Sequence, residues 1–248
     1  DNDSIFLDTD EGRISQNIDN WSVSKIKRMG ADAVKVLAWY RPDADKKVLE
    51  AQQQYVQKIG DECAKHDILF LFELLVYPLS KDLYQTKEYV EMQNKKTDHV
   101  LESVREFSNE KYGVDVFKLE SPVNVNKIAD SDLNAFKEMG NIAGRPWVML
   151  SAGAGKEEFK NVLKLAFKAG CSGFLAGRAI WLDAFMHYPN WDKIQNQLES
   201  NAKDYLGEIG EMADKSALSW NNHVCYGKDG SDFPYDNQEF RLHYNEIE

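Results

Sequence analysis

Val114-Asp115-Val116-Phe117-Lys118-Leu119-Glu120 reads as a β-strand with an ammonium at its centre. A charge in that position costs desolvation unless the site uses it. Two earlier runs repeat the pattern. Val34-Lys35-Val36-Leu37-Ala38-Trp39-Tyr40 carries Lys35, and Leu69-Phe70-Leu71-Phe72-Glu73-Leu74-Leu75-Val76 carries Glu73. Side chains alternate faces along a strand, so each charge points away from its apolar neighbours. Three successive strands therefore offer one ionisable group each to a common side. Two amines and a carboxylate gathered in an apolar interior point to an active site with an amine nucleophile.

Working outward, strand and helix alternate. Ser22 reads as the N-cap of a short helix carrying Val23, Ile26 and Met29 and ended by Gly30. Helical spacing of Val48, Ala51, Tyr55, Ile59 and Cys63 predicts a long helix from Lys46 to Lys65. A variable stretch, Tyr77 to Lys96, precedes a helix with Val100, Val104 and Phe107 on one face. After the Lys118 strand come a helix from Ser131 to Met139, a strand from Pro146 to Leu150 and a helix from Lys156 to Ala169. A last strand, Gly173 to Ala176, runs into one or two closing helices between Ala179 and Lys215. The tail from Ser219 onward has no clear period and reads as a packed extension or partly disordered. The expected domains are a barrel over 1–217 and an extension over 218–248.

This rhythm is that of a parallel α/β sheet covered on both faces. A TIM (β/α)8 barrel and a doubly wound open sheet both satisfy it. The barrel is favoured because charges on several strands converge on a closed interior. Five strands and a short one at Ser4 to Leu7 fall short of eight. The chain also starts abruptly at Asp1-Asn2-Asp3.

The 248 residues fit one large domain, and twelve Phe, eleven Tyr and six Trp can build its core. A formal charge of −11 argues against nucleic-acid binding, which needs a basic face. It leaves room for an anionic substrate in a locally basic cleft. Cys63, Cys171 and Cys225 are odd in number and far apart, which reads as reduced thiols in a cytoplasmic protein. Neither a signal peptide nor a membrane span is expected. The five histidines are scattered without ligand spacing, so no metal and no cofactor are expected.

Lys118 is the candidate nucleophile for a substrate ketone. That role needs a depressed pKa, which burial and a second cation such as Lys35 promote. An equally open reading makes Lys118 a structural partner of Glu120 or Glu73. Glu73 is the candidate proton-transfer group, or a counter-ion that makes a buried lysine tolerable. Leu150-Ser151-Ala152-Gly153-Ala154-Gly155 and Gly177-Arg178 each follow a strand. Either alone reads as a tight turn; together they suggest an anion site made of backbone N–H groups, a hydroxyl and a guanidinium.

The runs Gly30-Ala31-Asp32-Ala33-Val34-Lys35, Phe72-Glu73-Leu74, Val114 to Asn124, Leu150-Ser151-Ala152-Gly153 and Gly173 to Trp181 resemble the class I tagatose-1,6-bisphosphate aldolase family. Related sulfofructose-phosphate aldolases share several of these runs. The resemblance covers Ser22 to Trp220. It implies a metal-free TIM barrel in which Lys118 forms a Schiff base, Glu73 transfers protons and Lys35 assists. Because members of that family carry further βα units ahead of the run matching Ser4 to Leu7, it also implies that the first one or two βα units are missing from this sequence. It also implies phosphate binding through Ser151, Gly153, Gly177 and Arg178. The implied reaction cleaves a ketose 1,6-bisphosphate to dihydroxyacetone phosphate and glyceraldehyde 3-phosphate. Cleavage of a sulfofructose phosphate, or a non-catalytic sugar-phosphate-sensing role, is the alternative. A homo-oligomer is possible. Ser121 departs from the family pattern, which carries an aliphatic residue there, so a change in substrate preference is expected.

Overall fold

The computed structural model describes residues 6–79, 82 and 97–227. Seven strands and eight α-helices lie among them. Strands β3 (Ala33–Trp39), β4 (Leu69–Leu75), β5 (Val116–Leu119), β6 (Trp147–Leu150) and β7 (Gly173–Leu175) form one parallel sheet. Their order in space is their order in the chain. A doubly wound sheet reverses its strand order at a switch point. This sheet never reverses, so it is a five-stranded arc of an α/β barrel.

The helices form for local reasons. Helix α2 (Lys46–Lys65) starts where the Asp45 side chain accepts from the Lys47 N–H at 2.8 Å, leaving one fewer unsatisfied donor in its first turn. Its buried stripe, Val48, Gln52, Val56, Ile59 and Cys63, faces the sheet. Helices α3 (Thr97–Phe107), α4 (Leu133–Ala143) and α5 (Lys156–Lys168) bury similar stripes. Together they cover one face of the arc. Phe70, Phe72, Phe117 and Met149 are fully buried there. Phe107 packs its ring against Tyr40 (4.8 Å), Phe72 (4.9 Å) and Tyr112 (4.9 Å).

Several sequence expectations move in detail. The short N-terminal strand is β1 (Phe6–Thr9); Ser4 and Ile5 lie outside the described residues. It pairs antiparallel with β2 (Gly12–Ser15) and does not join the parallel sheet. The alternation of side chains identified a strand here but could not name its partner. The helix expected over Ser131–Met139 begins with a 3₁₀ turn at Asp130–Asp132 and continues as α4 to Ala143. The closing segment contains three helices, α6 (Arg178–Phe185), α7 (Trp191–Gln197) and α8 (Lys203–Ser216), the last two joined by a π-turn. In the tail, 3₁₀ turns form at Trp220–Asn222 and Val224–Tyr226. Most of the variable stretch, 80–81 and 83–96, lies outside the described residues, as does 228–248.

The β1–β2 hairpin is fastened to the sheet. The Arg13 N–H donates to the Tyr77 hydroxyl at 3.0 Å, and the Arg13 guanidinium stacks over the rings of Trp39 and Tyr77. Gln52 ties both sides, donating to the Trp39 carbonyl and the Ser15 hydroxyl while accepting from the Ser15 N–H. Gly12 permits the contact: at φ +144°, a Cβ there would lie 2.4 Å from the Tyr77 hydroxyl.

Candidate active site

The other face of the arc carries the charges. In the parallel register Leu37 stands beside Glu73, and Glu73 beside Lys118. Partners in register share a face, so Glu73 and Lys118 are direct neighbours. Lys35, one inward-facing position before Leu37, reaches across diagonally. Its Nζ lies 2.9 Å from Glu73 Oε2, and Lys118 Nζ lies 3.0 Å from Oε1. The Glu73 carboxylate is 1% exposed, Lys118 16% and Lys35 48%. A carboxylate that dry is tolerated because each oxygen faces an ammonium. The structure thus brings together the three ionisable residues that the sequence singled out.

Glu120, the other partner considered for Lys118, is buried and accepts from the Val76 N–H at 2.6 Å. It secures the segment that leaves β4. The Ser121 hydroxyl donates to the Val123 carbonyl at 2.8 Å and accepts from the Val123 N–H. It closes a local turn and is not part of the cavity wall described next.

A cavity of about 290 Å³ opens beside Lys118 at the C-terminal ends of the strands. Glu73, Lys118, Ser151, Gly177, Arg178 and Trp181 line it, with Leu150, Ala152 and Leu175 as apolar wall. Ser151 is buried at the end of β6. The turn after it places Ala152 at φ +41° and Gly153 at φ +85°. Left-handed backbone costs a non-glycine residue roughly 1–2 kcal/mol, so Ala152 is held there by its surroundings. Gly153 shapes this turn but stands off the cavity wall. Gly177 is the N-cap of α6, and Arg178 is its first residue. The first turn of a helix offers N–H groups without intrahelical partners, suited to an anion. Lys118 and Arg178 against Glu73 make the cavity locally cationic on a chain of charge −11.

Trp181 was not read from the sequence as a site residue. Its signal was spacing: it lies three residues after Arg178, one helical turn along the same face. Among the described residues no cluster of His, Cys, Asp or Glu could hold a metal. No helix among them is long and apolar enough to cross a membrane.

An arc of parallel strands with a lysine–carboxylate pair at the mouth matches a known family. The DeoC/LacD family aldolase model fits residues 7–183, and the chain belongs to that family of carbon–carbon lyases. The tagatose 1,6-diphosphate aldolase 1 of Enterococcus faecalis is 34% identical over 222 residues, covering 84% of this chain and 67% of that protein. The tagatose 1,6-diphosphate aldolase 2 of Streptococcus mutans is 32% identical over 230 residues, covering 87% and 69%. The chain thus spans about two thirds of the length of these relatives. Among solved structures, a Schiff-base-forming fructose-1,6-bisphosphate aldolase superposes with a TM-score of 0.54 at 17% identity, over 81% of this chain and 64% of the other. An archaeal fructose-1,6-bisphosphate aldolase superposes with a TM-score of 0.51 at 17% identity, over the same shares. These likenesses show the fold, the TIM barrel of aldolases.

Proposed function

We propose that this chain carries the active site of a class I aldolase that cleaves a ketose 1,6-bisphosphate, with tagatose 1,6-bisphosphate as the substrate. The observation that carries the reading is the Lys35–Glu73–Lys118 bridge beside a cavity whose far wall holds Ser151, Gly177 and Arg178. Family membership and the names of the relatives support the reaction class and the sugar.

Glu73 takes a proton from the Lys118 ammonium, the freed amine adds to the C2 ketone, and Glu73 returns the proton to the carbinolamine oxygen, which leaves as water to give an iminium. Glu73 accepts the proton of the C4 hydroxyl as the C3–C4 bond breaks. The bonding electrons move into the iminium and form an enamine, and glyceraldehyde 3-phosphate departs. Protonation at C3 and hydrolysis release dihydroxyacetone phosphate and restore Lys118. Lys35 remains an ammonium that holds the Glu73 carboxylate in place. Ser151, Gly177 and Arg178 take a phosphate, combining a hydroxyl, helix N–H groups and a guanidinium.

Borohydride reduction in the presence of dihydroxyacetone phosphate, followed by peptide mass analysis, tests the assignment. The expected result is one covalent adduct, on Lys118. An adduct on another lysine, or none while the ketose bisphosphate is turned over, overturns it.

A further inference from the structure

The arc has a second concavity at its opposite end. A cavity of about 690 Å³ lies beneath the N-terminal ends of β4, β5 and β6, in the size range of small-molecule sites. Active sites of α/β barrels open at the C-terminal ends of the strands, so this cavity is separate from the site around Lys118.

Its wall has a definite chemistry. The floor is apolar, with Leu69, Val116, Pro146 and Val148. Two carboxylates, Asp67 and Asp115, face it, and the lining includes no lysine, arginine or histidine among the described residues. Asp115 Oδ2 accepts from the Phe70 N–H at 2.7 Å, and a carboxylate has acceptor capacity on both oxygens. Ser172 Oγ is buried on the same wall and has no hydrogen-bond partner among the described residues. At the rim stand Trp220 and Tyr226, with ring centroids 6.0 Å apart and planes at 79°. Both are partly exposed and present aromatic surface to an incoming group.

We infer that this cavity is a second ligand site, one that takes a small planar aromatic group bearing an amidine, guanidine or amino substituent. The ring is held by the apolar floor and by Trp220 and Tyr226. The substituent donates hydrogen bonds to Asp115, and Asp67 adds a second negative charge to the wall. An anion of the same shape binds less well, because two carboxylates oppose it, although the Arg145 charge reaches Tyr226 at the rim and Lys27 Nζ donates to the Asp67 carbonyl.

The probe is benzamidine, with benzoate as the isosteric anion, each titrated into the full chain at fixed ionic strength. Affinity is read by calorimetry, and location by amide chemical-shift changes at Val116, Val148 and Ser172. Benzamidine is expected to bind at these residues at least tenfold more tightly than benzoate. Trp220→Ala removes a side chain that is 53% exposed and is expected to weaken benzamidine about fivefold. Asp115→Asn keeps an acceptor for the Phe70 N–H, loses the charge, and is expected to weaken it about tenfold. Equal binding of benzoate, shift changes elsewhere, or affinity unchanged in both variants overturns the inference.

Discussion

The two faces of the sheet are made by the same strands and serve opposite ends. On the helix-covered face, Phe70, Phe72, Phe117 and Met149 are fully buried and interlock with Phe107. On the other face, at the mouth, Lys35, Glu73 and Lys118 gather, and Leu175 is 43% exposed beside them. Alternation lets each strand contribute one row to cohesion and the next to chemistry. Burying large apolar side chains favours folding, whereas confining three charges costs desolvation, a cost that the proposed reaction would account for. The difference teaches that damage to one face should be separable from damage to the other.

The sharpest way to break that comparison is Lys118→Arg. Arginine keeps the positive charge toward Glu73 but stays protonated and cannot form a Schiff base. Steady-state cleavage of the ketose bisphosphate should fall by more than about 10³-fold, with loss of the borohydride adduct. The thermal midpoint should move little. A variant that retained activity would show that the inner face owes nothing to this amine.

Phe107→Ala makes the converse cut. Removing a fully buried aromatic with three ring partners should cost about 3–5 kcal/mol of unfolding free energy, measured by urea titration. The turnover number per folded molecule should stay within about twofold. A specific loss of turnover would mean that the faces are coupled.

The smallest effect concerns a group on neither face. Burial, and then the charge of Arg145, hold His223 below its ordinary pKa of 6.5. The folded state therefore binds fewer protons than the unfolded chain. The corresponding stability is complete above about pH 6.5 and is lost as pH falls through the folded pKa. His223 Nδ1 accepts from the Cys225 N–H at 3.3 Å, which protonation of that nitrogen forbids. Amide hydrogen exchange at Cys225, corrected for intrinsic rate, should speed up as pH drops below 6.5. The protection of Phe72 and Phe117 should fall by less than that of Cys225.

The sequence disclosed the parallel sheet because each strand is a dense apolar run bounded by helical periodicity. It disclosed Lys35, Glu73 and Lys118 because a charge inside such a run violates the local pattern. The register that sets Glu73 directly beside Lys118 was not readable, since pairing depends on helix and loop lengths across the whole unit. The antiparallel partner of β1 escaped for a different reason: Gly12–Ser15 is a four-residue strand with no apolar run to mark it. Trp181 escaped because an aromatic on a helix ordinarily reads as core. The partner of Ser121 was not legible either: its hydroxyl closes a turn with Val123, a local hydrogen bond typical of serine that a sequence pattern alone does not reveal.

The unbroken spatial order of β3 to β7 has a temporal counterpart. On a ribosome, each of these strands after β3 emerges next to a neighbour already made, so no pairing within this described sheet waits for a distant segment. The lysine at position 35 meets its carboxylate when residue 73 arrives, and the amine at 118 then joins a pair whose charges already cancel. Assembly by short sequence separations keeps loop-closure costs low.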